Sequence, residues 1–191
     1  GIIASGGASY CIIRNNIVHN IRSNNLLGCT GILLSGGANG ISNKIYNNMV
    51  YDIQSTSPQA DSRVSGIQMW NQNNPQIFYN SVRLSGTGSN KYGSAAIWID
   101  ASCSNVDLRN NILVNTRDES PYCASAIRSF SGFSTFTTDY NDLYYEPNQY
   151  NCLVKFGSSY HTLAQWQAVG KDFHSTSVLP CFCSPDLHID C

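Results

Sequence analysis

Aliphatic residues recur along the chain at fixed distances from asparagine. Asn16, Asn48, Asn80, Asn111 and Asn141 follow one another at intervals of 32, 32, 31 and 30 residues. Three residues before them stand Ile13, Ile45, Ile77, Leu108 and Thr138, and two residues after them Val18, Val50, Val82, Leu113 and Leu143. A second column keeps the same period: Gly1-Ile2, Gly31-Ile32, Gly66-Ile67, Ala96-Ile97 and Ala126-Ile127. Segments such as Gly31-Ile-Leu-Leu, Lys44-Ile-Tyr-Asn and Asn48-Met-Val-Tyr-Asp-Ile are short, alternating and rich in β-branched residues, which reads as strands. Clusters such as Ser35-Gly-Gly-Ala-Asn-Gly and Asn71-Gln-Asn-Asn-Pro read as turns between them. Three short strands in roughly 30 residues with no helical pattern exclude a βαβ unit and predict one coil of a solenoid.

The pattern therefore predicts an all-β chain, a parallel β-helix of about five to six coils. Stacked coils lie one strand spacing apart, about 4.8 Å, so equivalent residues form columns. A column of Asn side chains can then hydrogen-bond along its own length, which removes the cost of burying an unpaired amide. Residues 22–30, 54–65, 87–94, 117–125 and 146–151 exceed what a coil needs and are expected to leave it at one edge. The coils are assigned to 1–156 and a closing segment to 157–191. Within that segment a short helix is expected over 163–169, since Thr162 and Gln165 fit a capping box and Gly170 a helix stop.

Composition narrows the function classes. Charged residues make up 12% of the 191, about half the usual share, while 21 Asn, 25 Ser and 15 Gly carry the polarity. The net charge of −1 and the absence of a basic block offer no footprint for nucleic acid. No apolar run approaches the roughly 18 residues of a membrane span, so membrane insertion is not expected. Eight cysteines, Cys11, Cys29, Cys103, Cys123, Cys152, Cys181, Cys183 and Cys191, suggest disulfides formed in an oxidising, extracellular compartment. Cys181-x-Cys183 has the wrong spacing for a zinc knuckle, so no metal and no cofactor are expected. Sequence proximity favours Cys11–Cys29, Cys103–Cys123, Cys152–Cys181 and Cys183–Cys191 among the many possible connectivities. The chain starts on a Gly-Ile strand without Met or a signal sequence, which reads as a processed protein or a piece of a longer one.

The Gly-Ile and Ile-x-x-Asn-x-Val columns resemble those of the right-handed parallel β-helix superfamily of pectin-lyase-like proteins, a likeness covering residues 1 to about 156. The tail carries Leu163-Ala-Gln-Trp166, Gly170-Lys-Asp172-Phe-His174-Ser, Pro180-Cys-Phe182 and Asp186-Leu-His188-Ile. It is similar to the closing segment of β-helix domains in large, modular, secreted bacterial surface proteins. Architecture follows from the first resemblance and surface exposure from the second; neither implies a particular activity.

Candidate chemistry lies on the outer face. Alternation points Leu33, Gln68, Trp98, Arg128 and Val154 outward, beside Ser35, Trp70, Asp100, Phe130 and Phe156. Trp70, Trp98, Asp100, Arg128 and Phe130 then form a candidate carbohydrate face, because aromatic rings stack on sugar faces and charged groups hold hydroxyls or carboxylates. The competing reading is that loops from the same edge cover these aromatics. Ile97-Trp-Ile-Asp100 resembles the W-I-D-H signature of pectate lyases, with Ala101 in place of His. Hydrolysis needs two facing carboxylates, and the positions matching Asp100 are Trp70 and Phe130. Asp172-x-His174 and Asp186-x-His188-x-Asp190 are read as structural hydrogen bonding rather than a metal site. The expected function is a non-catalytic β-helix domain of a secreted or surface-exposed bacterial protein, a stalk, adhesin-like or carbohydrate-binding module. Its expected partners are a polysaccharide or other cell-surface ligand and flanking domains of the same chain. The alternative is a polysaccharide-active lyase or glycoside hydrolase using Asp100 and Arg128.

Overall fold

The computed structural model describes residues 1–23, 28–55, 63–88, 90–130 and 136–182, with only the backbone described at 37–40. The first turn comprises β1 (Ile2–Ser5), β2 (Ile12–Arg14), β3 (Ile17–Val18) and β4 (Ile21–Ser23). The second comprises β5 (Cys29–Ile41), β6 (Lys44–Tyr46), β7 (Met49–Tyr51) and β8 (Ile53–Ser55). Three-strand turns follow: β9 (Val64–Asn73), β10 (Gln76–Phe78), β11 (Ser81–Leu84); β12 (Ser94–Ile99), β13 (Val106–Arg109), β14 (Ile112–Asn115); β15 (Ala124–Ser129), β16 (Phe136–Asp139), β17 (Asp142–Tyr145). The described chain ends with β18 (Cys152–Phe156), β19 (Ser159–His161) and the helix α1 (Leu163–Ala168).

Strands one period apart pair in parallel. One sheet orders β1-β5-β9-β12-β15-β18, a second β2-β6-β10-β13-β16, a third β3-β7-β11-β14-β17, and β4 pairs with β8. The molecule is thus a parallel β-solenoid of about 4 turns, rather than the five to six coils expected. Five rungs in the second and third sheets enclose only four intervals. After β18 the chain reverses into antiparallel β19 instead of beginning another turn.

Both aliphatic columns hold through every rung. Ile13, Ile45, Ile77, Leu108 and Thr138 are in register, as are Val18, Val50, Val82, Leu113 and Leu143. These residues are buried, and with Ile32, Ile67, Ile97 and Ile127 they build one continuous core. The second column holds only small residues, Gly1, Gly31, Gly66, Ala96 and Ala126. A Cβ on Gly66 would lie 2.2 Å from Val82 Cγ1 and 2.8 Å from the Ala96 carbonyl, so at this rung the neighbouring valine leaves no room even for a methyl group.

The Asn column occupies the two-residue turns between the second and third sheets. The preceding residues, Asn15, Asn47, Tyr79, Asn110 and Tyr140, all have φ between 53° and 57°, the left-handed region that Asn tolerates well. Asn16 Nδ2 donates to Asn48 Oδ1 at 2.9 Å, Asn48 to Asn80 at 2.9 Å, Asn80 to Asn111 at 3.0 Å and Asn111 to Asn141 at 3.1 Å. Asn141 Nδ2 then donates to Asp172 Oδ1 at 2.8 Å. The Asp172 carboxylate also accepts from Thr138 Oγ1 and Trp166 Nε1, so the expected structural role of Asp172 is to end the ladder with an acceptor that needs no onward partner. Thr162 and Gln165 form the expected capping box, which places Trp166 over Phe136 and Phe156 at the end of the core. Burying a side chain of this size is worth about 2–3 kcal/mol.

The expected disulfides are corrected. Cys11, Cys29, Cys103, Cys123, Cys152 and Cys181 are free thiols, so Cys11–Cys29, Cys103–Cys123 and Cys152–Cys181 do not form. In a coil of about 30 residues, separations of 18 and 20 carry Cys11–Cys29 and Cys103–Cys123 only part of the way round, and Cys152–Cys181 spans the reversal after β18, where the coil ends; within the coils closeness follows the period. Cys123 and Cys152, one period apart, have sulfurs 3.5 Å from each other. Cys183 and Cys191, together with Asp186, His188 and Asp190, lie outside the described residues.

Candidate binding site at the loop edge

The excursions do stack at one edge. Cys29 N–H donates to the Arg63 carbonyl, Val64 to Gly93, Ser94 to Cys123 and Gly88 to Asp118. Beneath them lies a buried ion pair absent from the sequence reading. Arg117 and Glu119 are both fully buried, with Arg117 Nε 2.6 Å from Glu119 Oε1. Arg117 Nη1 donates to the Ser85 carbonyl and Nη2 to those of Ser55 and Thr87, and Glu119 accepts from Asn90 N–H and Nδ2. One guanidinium thus ties three successive excursions together. Arg117 and Glu119 each occur once in the repeat, so no column marked them.

The outward column aligns Leu33, Gln68 and Trp98 with Arg128 as expected, but its last member is Lys155, not Val154. Val154 faces Ile127, and Phe156 faces Ser129. The displacement arises because Leu153-Val154 stands where Ala126-Ile127 does, without a small residue to mark the register.

Around Trp98 the covering reading holds. Its ring is 1% exposed, with the Arg128 guanidinium 4.3 Å from its centre and that of Arg63 5.6 Å away. Arg63 also lies 5.0 Å from the Trp70 ring and 5.9 Å from that of Tyr92. Arg128 reaches Phe130 at 5.2 Å, and Phe130 is 39% exposed. The structure thus links Trp70, Trp98, Arg128 and Phe130 in one cation–aromatic stack. Asp100 is apart from it in function: its Oδ1 accepts from the Ser102 N–H and hydroxyl and fixes a turn.

Beyond Arg128 the cover ends and a cavity of about 420 Å³ opens between the excursions at 87–94, 117–125 and 146–151 and strands β15, β18 and β19. Lys91, Arg128 and Lys155 line it with Tyr92, Tyr122, Tyr150 and Tyr160, and among the described residues no carboxylate side chain does. Of the five candidate carbohydrate residues, Arg128 alone reaches this cavity. Arg128 is held by a hydrogen bond from Nη1 to the Tyr92 carbonyl, while its Nε has no hydrogen-bond partner among the described residues. Burial lowers the pKa of Arg128 below its usual value, against the opposing pull of Cys123 and Tyr160. Lys155 Nζ lies 4.8 Å from the centre of the Tyr160 ring. Sequence reasoning missed this site although a signal was present: Tyr92, Tyr122 and Tyr150 recur near the end of three successive excursions.

The tail pair Asp139 and His174 lies outside this cavity, with His174 Nδ1 2.8 Å from Asp139 Oδ2 and the ring stacked on Tyr140. Among the described residues there is no group of three or more His, Cys, Asp or Glu side chains placed to hold a metal ion. Compared with known proteins, the chain matches no family model, no curated protein and no solved structure.

Proposed function

We propose that the chain is a non-catalytic β-helix module of a secreted or surface-exposed bacterial protein and that its loop-edge cavity binds an acidic saccharide. The observation that carries this reading is the lining: three cations and four tyrosines, with no carboxylate among the described residues. A uronate carboxylate satisfies Lys91, Arg128 and Lys155, and tyrosine rings pack against the apolar faces of the sugar. The site shifts from the Trp98 face proposed on sequence to the next two rungs, where Arg128 is the shared member. The right-handed, pectin-lyase-like architecture and the surface-protein origin rest on the Gly-Ile and Asn columns and on the tail motif around Trp166 and Asp172.

A β-eliminating lyase is the second reading, favoured by the place of Arg128, which lines the cavity and whose Nε has no hydrogen-bond partner among the described residues. Glycoside hydrolysis has less support, since the cavity presents no carboxylate pair. Titration of the whole chain with oligogalacturonate, against a neutral oligosaccharide of equal length, tests the proposal. Binding of the acidic ligand alone is expected, weakening with salt and falling about tenfold in Lys155→Gln, the loss of one charge-assisted hydrogen bond. Equal binding of the neutral ligand would refute it. Accumulation of unsaturated product, abolished by Arg128→Lys, would replace the module with the lyase; turnover abolished by Asp100→Asn would restore the sequence-based enzyme reading.

A further inference from the structure

The cavity that holds the cations also holds a thiol. Cys123 lines it, and the sulfur of Cys152, on the next rung, stands 3.5 Å behind. Both side chains are otherwise buried. Their positions are fixed independently: Ser94 N–H donates to the Cys123 carbonyl, Ala124 N–H donates to Asn151 Oδ1, and Cys152 is in register with Ser125. From this juxtaposition we propose that Cys123 and Cys152 form a redox-active dithiol, oxidised reversibly to a cross-rung disulfide by small disulfides that enter the cavity.

The geometry sets the order of events. The thiolate of Cys123, the cysteine that lines the cavity, attacks one sulfur of a small disulfide. A Cys123 mixed disulfide forms, the attacked S–S bond breaks, and the departing thiolate takes the proton that Cys123 gave up. Cys152 then attacks the Cys123 sulfur, forming the Cys123–Cys152 bond and expelling the second thiol, which carries away the Cys152 proton. Two cysteine thiols are oxidised by two electrons, and one small disulfide is reduced to two thiols. The electrostatics run the same way. The hydrogen bond with Cys152, then Lys155 and Arg128, outweigh burial and hold the Cys123 thiol below its usual pKa, whereas the same pairing and burial raise that of Cys152. At Cys103, by contrast, burial dominates and pushes the thiol up to about 11.

The experiment equilibrates the whole chain with reduced and oxidised glutathione, alkylates free thiols, digests with trypsin and maps the products by mass spectrometry. Peptides 118–128 and 129–155 each carry one cysteine, as does 92–109 with Cys103. The expected product is a reducible cross-link between the first two peptides, with 92–109 fully alkylated. In Cys152→Ser the mixed glutathione disulfide at Cys123 should persist and accumulate at least tenfold over that seen at Cys152 in Cys123→Ser. Failure of the native chain to cross-link under oxidising glutathione, or cross-linking of Cys123 to a different cysteine, would overturn the proposal, and the native chain gives this answer even where a variant does not fold. Equal adduct at Cys152 in Cys123→Ser would overturn the assignment of Cys123 as the attacking thiol.

Discussion

Replacing Asn80 by Ala removes the central rung of the Asn ladder, and the structure allows its cost to be worked out group by group. Asn80 Nδ2 donates to the Ile45 carbonyl, the Phe78 carbonyl and Asn111 Oδ1, each at 3.0 Å. Asn80 Oδ1 accepts from Asn48 N–H at 3.1 Å and Asn48 Nδ2 at 2.9 Å. Five hydrogen bonds are lost, but the partners are affected unequally. Asn111 Oδ1 keeps the Asn80 backbone N–H, the Phe78 carbonyl keeps Asn47 N–H, and Asn48 Nδ2 keeps the Ile13 and Tyr46 carbonyls. The Asn48 N–H loses the side-chain acceptor that caps its turn. One stranded buried donor costs about 1–3 kcal/mol, and loosening the remaining bonds adds roughly 1 more, so a loss of about 2–4 kcal/mol is expected. Asn16→Ala provides the internal control. Among the described residues Asn16 stands at the end of the ladder, its Nδ2 donates only to Arg14 O and Asn48 Oδ1, and no further side chain depends on its amide; its loss should be about 1 kcal/mol. Urea unfolding of both variants at neutral pH, followed by circular dichroism, measures the difference as a change in midpoint at constant slope. Equal costs for Asn16→Ala and Asn80→Ala would refute the ladder as a directional chain of amides, as would a cost below about 1 kcal/mol for Asn80→Ala.

Two further outcomes follow from the charged groups. Glu119→Ala leaves Arg117 buried without its counter-ion and should cost about 3–5 kcal/mol, while the double variant Arg117→Met/Glu119→Leu should cost less than Glu119→Ala alone; thermal unfolding of the single and double variants decides this, and additive losses would contradict it. For Asp139, burial pushes the pKa up, but the hydrogen bonds from the His174 ring and N–H and from Tyr140 N–H outweigh it and hold the carboxyl below its usual value. Its folded pKa being depressed, the contribution of Asp139 is present above the unfolded carboxylate value of about 3.9 and is lost as pH falls through the folded value. With the His174 side chain 52% exposed the contribution stays below about 1 kcal/mol. Asp139→Asn should therefore lower the unfolding midpoint at pH 6 and leave it nearly unchanged at pH 2, and a larger effect at pH 2 would reverse the argument.

The difference between what the sequence disclosed and what it concealed follows from periodicity. Asn48, Ile45 and Val50 were legible because a parallel stack forces one chemistry onto every rung: each Asn is held by the next Asn, so none can change alone. The same rule explains the capping box at Thr162 and Gln165, a local signal that needs no tertiary information. Arg117 and Glu119 were invisible because Arg117 donates to the backbone carbonyls of Ser55, Ser85 and Thr87, which leave no trace in residue identity, and Glu119 accepts from Asn90, which belongs to no repeating column. The cysteines misled for a related reason. Neighbours in sequence were taken as neighbours in space, whereas the solenoid brings together residues a full period apart, as in Cys123 and Cys152.

The location of the cavity follows from how far each covering cation reaches. Arg63 arrives from the excursion that precedes β9 and spreads its guanidinium over Trp70, Tyr92 and Trp98, closing the outer face over β9 and β12. The Arg128 guanidinium lies over the same Trp98 ring at 4.3 Å, and two guanidinium groups repel. From β15 onward the face is lined by Arg128 and Lys155 in register, and the excursion at 146–151 supplies Gln149, Tyr150 and Asn151 to the cavity wall. A cationic face left uncovered, walled by tyrosines and braced from below by Arg117 and Glu119, is ordered before a ligand arrives. Less conformational freedom then remains to be lost on binding. The excursions that were expected to hide a carbohydrate face at Trp98 leave a cation-lined cavity a rung later, and on the proposed reading the ligand supplies the anion that the wall does not.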